Sequence, residues 1–405
     1  MHQIASRPRD QHLPPVLNII AIAGFAASLF TRSLDPVLPQ VADEFAISIA
    51  TAAGFVSGFA LTYAVVQPML GAAADLFGKA RLMIGCLVLL GFASILGALT
   101  NSVPMFFATR ILAGIGSGGV FPVALGLTSD LVEPDKRQVA IGRTLAGAMA
   151  GNLLGASLAA VIGDFLGWRG VLVVLGAVVL LASIAVAIGF RGAALTPAPK
   201  KNLSALKHGY RTIFTNPNAR MCFTAVFVEG CCVFGLFPFI AAFLVDLGES
   251  SLSIAGIVIA GFAVGGLFYT FTVSHFLPRL GVNGMMIGGA SLVALQLVAL
   301  AFGPGWKVQF LNLLLMGWGF YMIHGCLQVF ASELSVKARA TAMSLHSFFF
   351  FMGQTVGPIA YGFGLQHAGK VPTLLVGSAF ILVLGFVCAK LLRQRPPADA
   401  SDEPA

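Results

Sequence analysis

Five of the ionisable side chains that sit inside otherwise apolar runs limit what chemistry this chain can do. Glu229 lies in AVFVEGCCVF and His324 in GFYMIHGCLQVF. Arg32 and Asp35 lie near the end of the first apolar run, and Arg110 lies early in the fourth. A carboxyl and an imidazole held out of water can exchange a proton, and a carboxylate and a guanidinium can pair. Unpaired charge at such depth is costly, so each group is expected to find a partner or face water. Spacing gives the depths. Glu229 is nine residues past Arg220, and His324 is nine before Glu333. At 1.5 Å per residue both stand roughly 14 Å from the same end of their helices. Arg110 follows Pro104 by six residues, which puts it roughly 9 Å in from the opposite end. Asp35 is at a similar depth, with Arg32 one turn away. The spacing therefore suggests Glu229 and His324 as a proton-carrying pair. It also suggests Asp35 paired with Arg110, with Arg32 competing. The plainer alternatives are a helix-packing histidine and a static ion pair. Gln67, Asn152, Gln328 and Gln354 are further polar candidates, or hydrogen-bonding glue between helices.

These residues need a medium. The chain has 405 residues, of which 58% are hydrophobic and 10% charged, and its mean hydropathy is +0.91. A water-soluble fold cannot hide that much apolar surface, so the bilayer is its solvent. The charge of +8 could suit nucleic acid, but the basic residues are scattered through loops, so no nucleic-acid partner is expected. Cys86, Cys222, Cys231, Cys232, Cys326 and Cys388 lie in or beside apolar runs without metal-ligand spacing. They read as buried, inert thiols, and no metal is expected.

Twelve apolar runs are long enough to cross: Val16–Val37, Thr51–Ala74, Leu82–Leu99, Met105–Ser129, Val139–Ile162, Val171–Phe190, Met221–Val245, Leu252–Phe276, Val282–Phe302, Val308–Ala331, Ala340–Leu365 and Val371–Leu392. Each is near the ~20 residues a helix needs. An even number puts both termini on one side. Basic residues crowd the tails and alternate loops, among them Lys79, Arg81, Lys136, Arg137, Lys200, Lys201, Arg279, Lys337 and Arg339. The other loops hold only Arg169, Lys307 and Lys370. Both ends are therefore expected in the cytoplasm. Met1–Pro15 is polar, so the first run is expected to be an uncleaved anchor. The organisation reads as a tail (1–15), a six-helix bundle (16–190), a linker (191–220), a second bundle (221–392) and a Pro-rich acidic tail (393–405). Within the linker, Leu203–Phe214 could be a basic surface helix or a tether. The bundles repeat: Gly71 and Gly78 correspond to Ser274 and Gly281, and Gly151 and Gly155 to Gly353 and Gly357. An even number of spans per repeat makes the copies parallel, with their pseudo-axis along the membrane normal.

The hairpin between the second and third runs is GAAADLFGKAR, with Gly71, Asp75, Gly78 and Arg81. Gly-x-x-x-Asp-x-x-Gly-x-x-Arg between two membrane helices resembles the signature loop of the major facilitator superfamily, with Leu76 and Ala80 departing from it. TRILAGIGSGGV, with Arg110 and its following glycines, resembles that family's fourth-helix motif. Its Gly-x-Gly-x-x-Gly pattern has no preceding strand, so a dinucleotide site is rejected. Gly151-x-x-x-Gly155 partly matches the fifth-helix motif of the drug antiporters, although Ala156 replaces Pro. The Gly-Pro stands instead at Gly353-x-x-x-Gly357-Pro358. GFYMIHGCLQVFASE followed by GQTVGP resembles the bacterial arabinose-efflux-permease-like group. The resemblance implies an all-α membrane protein with twelve transmembrane helices in two pseudo-symmetric six-helix bundles. It implies helices one, four, seven and ten around a central cavity, a cytoplasmic latch at the signature loop, and proton coupling at Arg110. It further implies a monomer in membrane lipid, in a bacterial inner membrane, that moves a small-molecule solute by alternating access. No Walker loop, HExxH or nucleophile elbow occurs, so an enzyme is not expected. No cofactor is expected either, and the energy is expected from a proton gradient. Proton-coupled efflux of a small organic solute or drug is the leading reading. Uptake of a metabolite by proton symport or facilitated diffusion, and a transport-dead sensor, are the alternatives.

The latch expectation is testable on Asp75, an acid placed to face Arg81 or the helix N-terminus near Thr341. Asp75→Asn is expected to shift the balance between inward-open and outward-open states. Unchanged probe distances across the cytoplasmic side would discard the latch.

Overall fold

The computed structural model describes residues 16–132, 134–191, 210–303, 305–335 and 338–392. The described residues are helical, without a strand. In chain order the helices are α1 (Val16–Ser28), α2 (Leu38–Glu44), α3 (Ile49–Phe77), α4 (Lys79–Ala98), α5 (Val103–Asp130), α6 (Pro134–Gly189), α7 (Pro217–Glu229), α8 (Phe237–Asp246), α9 (Leu252–Phe302), α10 (Trp306–Glu333), α11 (Arg339–His367) and α12 (Lys370–Leu391). Two of these hold two crossings each, because α6 turns at Gly167 and α9 turns at Gly281. α7 and α8 together make one crossing, and α2 is too short to make one. The twelve expected crossings are thus all helical. By length and apolarity alone, eight segments among the described residues qualify. α1 is short, and α11 carries His346, Gln354 and Thr355, because it packs against α3, α7 and α10 rather than facing only lipid. Most of the 191–220 linker, including 203–209, lies outside the described residues. Its end, 210–215, is helical, and Ile213 packs beside Phe223 and Leu334.

The repeat is visible in the backbone. Gly78 and Gly281 both turn with positive φ, at 86° and 64°, and 281 minus 78 is 203. Gly167 and Gly369 do the same at 68° and 84°, and 369 minus 167 is 202. All four positions sit at tight helix-to-helix turns that need the left-handed backbone glycine permits. The small residues act in equivalent seams. A Cβ on Gly151 or Gly155 would strike the backbone of α1 at Phe25 and at Leu29 in the turn that follows it. A Cβ on Gly353 or Gly357 would strike Phe227 or Cys231 in the seventh crossing. The fifth crossing thus rests on the first as the eleventh rests on the seventh, with backbones in contact. Gly114, Gly116 and Gly118 likewise bring α5 against α3 and α4, so the glycine run is a packing surface.

Two halves follow, joined along two seams that the repeat exchanges: α3 against α11, and the first arm of α6 against the first arm of α9. The polar contacts across them lie toward one end of the bundle. At that end Gln366 donates to Ser48 at 3.1 Å. Asp164 accepts from the backbone N–H groups of Leu252 at 3.0 Å and Ser253 at 2.7 Å, and from the Ser251 hydroxyl at 3.4 Å. Asp164 thereby caps the start of α9 from the opposite half. A carboxylate at exposed helix N–H groups is a favourable charge-assisted contact. Ser157 donates to the Gly256 carbonyl nearby. On the same end, Arg169 binds Glu44 and the Ala98 carbonyl. Its guanidinium holds the Glu44 carboxyl below the ordinary carboxylate range.

The cap across the seam makes a checkable claim. Asp164→Ala is expected to loosen the Ser48 end, so spin labels at Ser102 and Ser250, on opposite halves, should gain a longer-distance population. A distance distribution identical to wild type would mean that the cap carries no weight in holding the halves together.

Candidate functional site

The first crossing does not run straight through. α1 stops at Ser28, a 3-10 turn follows to Thr31, and the chain bends through Arg32–Val37 before α2. Pro36 and Pro39 explain the break, since proline disfavours helix before it and removes a backbone donor. The seventh crossing is also interrupted, by a π-helical turn at Gly230–Phe234 between α7 and α8. Wide turns of this kind collect at functional positions in helices. The two breaks are equivalent positions: adding the 203-residue offset to Arg32 gives Gly235. They also meet. The Arg32 guanidinium lies 4.3 Å from the centre of the Phe234 ring and 5.1 Å from that of Phe237.

Arg32 is 7% exposed and Asp35 is fully buried. They form an ion pair at 3.4 Å, and Arg32 also donates to the Gln354 side chain of α11. One guanidinium thus holds a carboxylate from its own half and an amide and two rings from the other. This corrects the expected Asp35–Arg110 pair. The bend places Arg32 and Asp35 three residues apart in one tight turn, so the local partner wins. Arg110 is 2% exposed and lies 4.8 Å from the centre of the Phe59 ring. Its Nε and Nη1 have no hydrogen-bond partner among the described residues. Among the described residues no hydrogen bond or ion pair joins it to Asp35, whose partner is Arg32.

Glu229 and His324 come together. Glu229 Oε2 is 2.8 Å from His324 Nδ1, with the carboxyl wholly buried. The side-chain amide nitrogen of Gln328 lies 3.1 Å from His324 Nε2. With its amide nitrogen turned to the ring, Gln328 donates to Nε2, and a neutral imidazole so held carries its proton on Nδ1, facing Glu229. Glu229 Oε1 has no partner among the described residues. Rings enclose the pair: Phe320 stacks on His324 at 4.8 Å between centroids, and Phe350 stands at 5.0 Å. Those two phenyls also touch Phe234, at 5.2 and 5.4 Å. An aromatic wall therefore connects the Glu229–His324 pair to the ring under Arg32.

At the other end of the bundle, Gly78 makes the expected turn and Arg81 is exposed. Gly71 and Asp75 fall on the part of α3 whose side chains are outside the described residues. Lys79 bonds Asp130 of α5 at 2.6 Å. Pro358 lies inside α11, Gln67 is buried on α3 and Asn152 is exposed. A cavity of about 430 Å³ opens on the flank of the second half, lined by residues including Phe227, Cys231, Tyr361 and Phe380. It is apolar, and none of Arg32, Asp35, Arg110, Glu229 and His324 lines it.

The model of the Major Facilitator Superfamily matches residues 20–336 and 249–405. The two ranges overlap, as expected of a chain built from a repeat. The chain belongs to the Major Facilitator Superfamily. It is a multi-pass membrane transporter and not an enzyme. It is similar to the chloramphenicol resistance protein of Streptomyces lividans, at 24% identity over 96% of this chain and 100% of that one. It is also similar to the quinolone resistance protein NorA of Staphylococcus aureus, at 23% identity over 81% and 84%. Among solved structures it resembles a bacterial homologue of the human lysosomal transporter Spinster in an inward-facing, unoccupied conformation. That likeness has a TM-score of 0.77 at 19% identity, over 93% of this chain and 96% of that one. The major facilitator fold makes the helix breaks intelligible, because irregular backbone at membrane depth is tolerated where it is buried in protein or lines a water-filled space.

Sequence reasoning missed three things here. Asp164 was visible only as an acid in a short loop, and its partner GESSLS carries serines suited to a helix start. His346, in SLHSFFFF, is 2% exposed, and its ring stands 5.2 Å from His324. The aromatic wall had no signal beyond an abundance of Phe.

The ion pair sets the next expectation. In a double-mutant cycle on thermal stability, Arg32→Ala and Asp35→Ala should be non-additive by about 1–3 kcal/mol. Arg110→Ala with Asp35→Ala should come closer to additive. Equal coupling in both cycles would contradict the assignment of Asp35 to Arg32.

Proposed function

We propose that this transporter is a proton-coupled exporter of a small organic solute, working by alternating access, with the coupling proton carried by Glu229 and His324. The buried 2.8 Å contact between their side chains supports this reading. A carboxyl and an imidazole at bonding distance can hold one proton or two, and burial behind Phe320 and Phe350 makes each added proton change the local charge balance strongly. Asp35, Arg32 and Arg110 are then a second charged cluster, with Arg32 as the contact between halves that must break when the bundle opens at the Ser48 end.

Direction and orientation rest on two further supports. The charge bias of the loops favours both termini in the cytoplasm of a bacterial cell. The Ser48 end is then the outer end, and the seams at Asp164, Ser48 and Arg32 keep it shut, which corresponds to an inward-facing state. The names of the relatives, one for chloramphenicol resistance and one for quinolone resistance, favour export of an organic solute. The site draws both charged clusters from one chain, which suits a monomer embedded in lipid. The six-helix halves take the boundaries 16–190 and 221–392, with tails at 1–15 and 393–405 and the linker at 191–220.

Glu229→Gln keeps the shape and removes the titration. In proteoliposomes, with a solute first identified by thermal stabilisation of the purified protein, this variant is expected to lose proton-driven accumulation. It should keep solute binding and solute–solute exchange. Concentrative transport that still follows the pH gradient in Glu229→Gln would move the coupling role to Asp35.

A further inference from the structure

His346 is an imidazole that the coupling scheme has not used. It lies on α11, seven residues past Arg339, roughly 10 Å along the axis from the cytoplasmic end. His324 is nine residues from Glu333 at that end of α10, and Glu229 is nine past Arg220 on α7. The His324–Glu229 pair therefore lies at one level, deeper than His346 from the cytoplasmic end. His346 is buried, and its Nε2 has no hydrogen-bond partner among the described residues. Its ring contacts that of His324 at 5.2 Å between centroids, tilted by 60°. A buried polar nitrogen left unpaired is costly, and it needs an explanation that packing does not supply.

The surroundings narrow the explanation. α11 packs against α3, α7, the π turn, α10 and α12. Of the titratable groups on those elements, His324 of α10 is the one in ring contact with His346. On α7, Glu229 is bonded to His324, and Cys222 donates to the Leu327 carbonyl. Cys231 and Cys232 sit in the π turn, and Cys388 is on α12. On α3, Tyr63 packs on Phe351, and the side chain of Asp75 is outside the described residues. On α11 itself, Gln354 binds Arg32 two turns further on. Arg220, Glu333, Arg339 and Lys390 stand exposed near the cytoplasmic end. Among the described residues no hydrogen bond or ion pair ties His346 to any of these.

The geometry points to His346 as the port through which protons pass between the cytoplasmic end and the His324–Glu229 pair. This rests on the coupling role of Glu229 proposed above. The step balances. His346 takes one proton from water and becomes an imidazolium. It passes that proton, directly or through one water, to the lone pair of His324 Nε2. Gln328 vacates that lone pair by swinging into the exposed space its side chain already occupies. His324 releases its Nδ1 proton to the Glu229 carboxylate, which becomes a carboxylic acid. His346 and His324 end neutral, and one proton has moved from water to Glu229. The reverse sequence discharges it.

The test reads the rate at which Glu229 gains its proton and needs no solute. The purified full chain in lipid nanodiscs is taken through a rapid pH jump, and the carboxylic-acid C=O infrared band that Glu229→Gln removes is followed in time. His346→Gln and His346→Phe are expected to leave the band's titration midpoint unchanged while slowing its appearance by about a hundredfold. Added imidazole should restore the rate in both. A polar and an apolar replacement are used so that one folded variant is enough. Wild-type speed in a folded variant would overturn the port while leaving the Glu229 reading intact. A shifted midpoint without slowing would also overturn it, by making His346 an electrostatic neighbour and nothing more. If no band distinguishes wild type from Glu229→Gln, the coupling assignment of Glu229 fails, and the port fails with it.

Discussion

The structure turns on the cost of a charge in the bilayer. Arg32 is buried between two helical bundles, and a guanidinium there persists only if its surroundings compensate it. The compensation comes from both halves at once: Asp35 from the first, and Gln354, Phe234 and Phe237 from the second. Separating the halves at that end would strip the cation of its amide and its rings. The same residue is therefore a structural bond and an obstacle to opening. Asp164 repeats the logic in milder surroundings. There an exposed carboxylate satisfies backbone donors that would otherwise wait for water.

Around this contact the fold is built by close approach rather than by a hydrophobic core in the usual sense. Lipid is as apolar as leucine, so helices gain little by hiding apolar side chains from it. They gain by backbone proximity, and the glycines supply that at equivalent places in the two repeats. The fifth crossing rests on the first and the eleventh on the seventh through matching pairs of glycines. The first and seventh crossings are both broken, and the breaks face one another near the pseudo-axis. A repeat that carries one flaw in each copy brings the two flaws together, and there the irregular backbone is buried in protein.

The two charged clusters are connected by aromatic side chains. Phe234 lies under Arg32 and against Phe320 and Phe350, and those two enclose His324. Close-packed rings transmit displacement because they have little room to absorb it. A change in the charge of the Glu229–His324 pair would press on the wall that also supports Arg32. In the proposed scheme this is the physical link between taking up a proton and releasing the contact between halves.

Much of this protein was legible in the sequence because membrane depth is a one-dimensional quantity. A helix advances 1.5 Å per residue, so counting from the ends placed Glu229 and His324 at one level, and they meet at 2.8 Å. The crossings, the repeat offset and the packing glycines follow from the same linear spacing, since hydropathy and small residues carry their periodicity in the chain. Azimuth does not follow from counting. Whether Asp35 bonds Arg32 or Arg110 depended on where the first crossing breaks and which way the bend turns the side chains. That Asp164 would cap a helix 88 residues away, and that His346 would stand beside His324, depended on which helices face each other across the seams. Those choices were made by packing among twelve crossings, and only the tertiary structure records them.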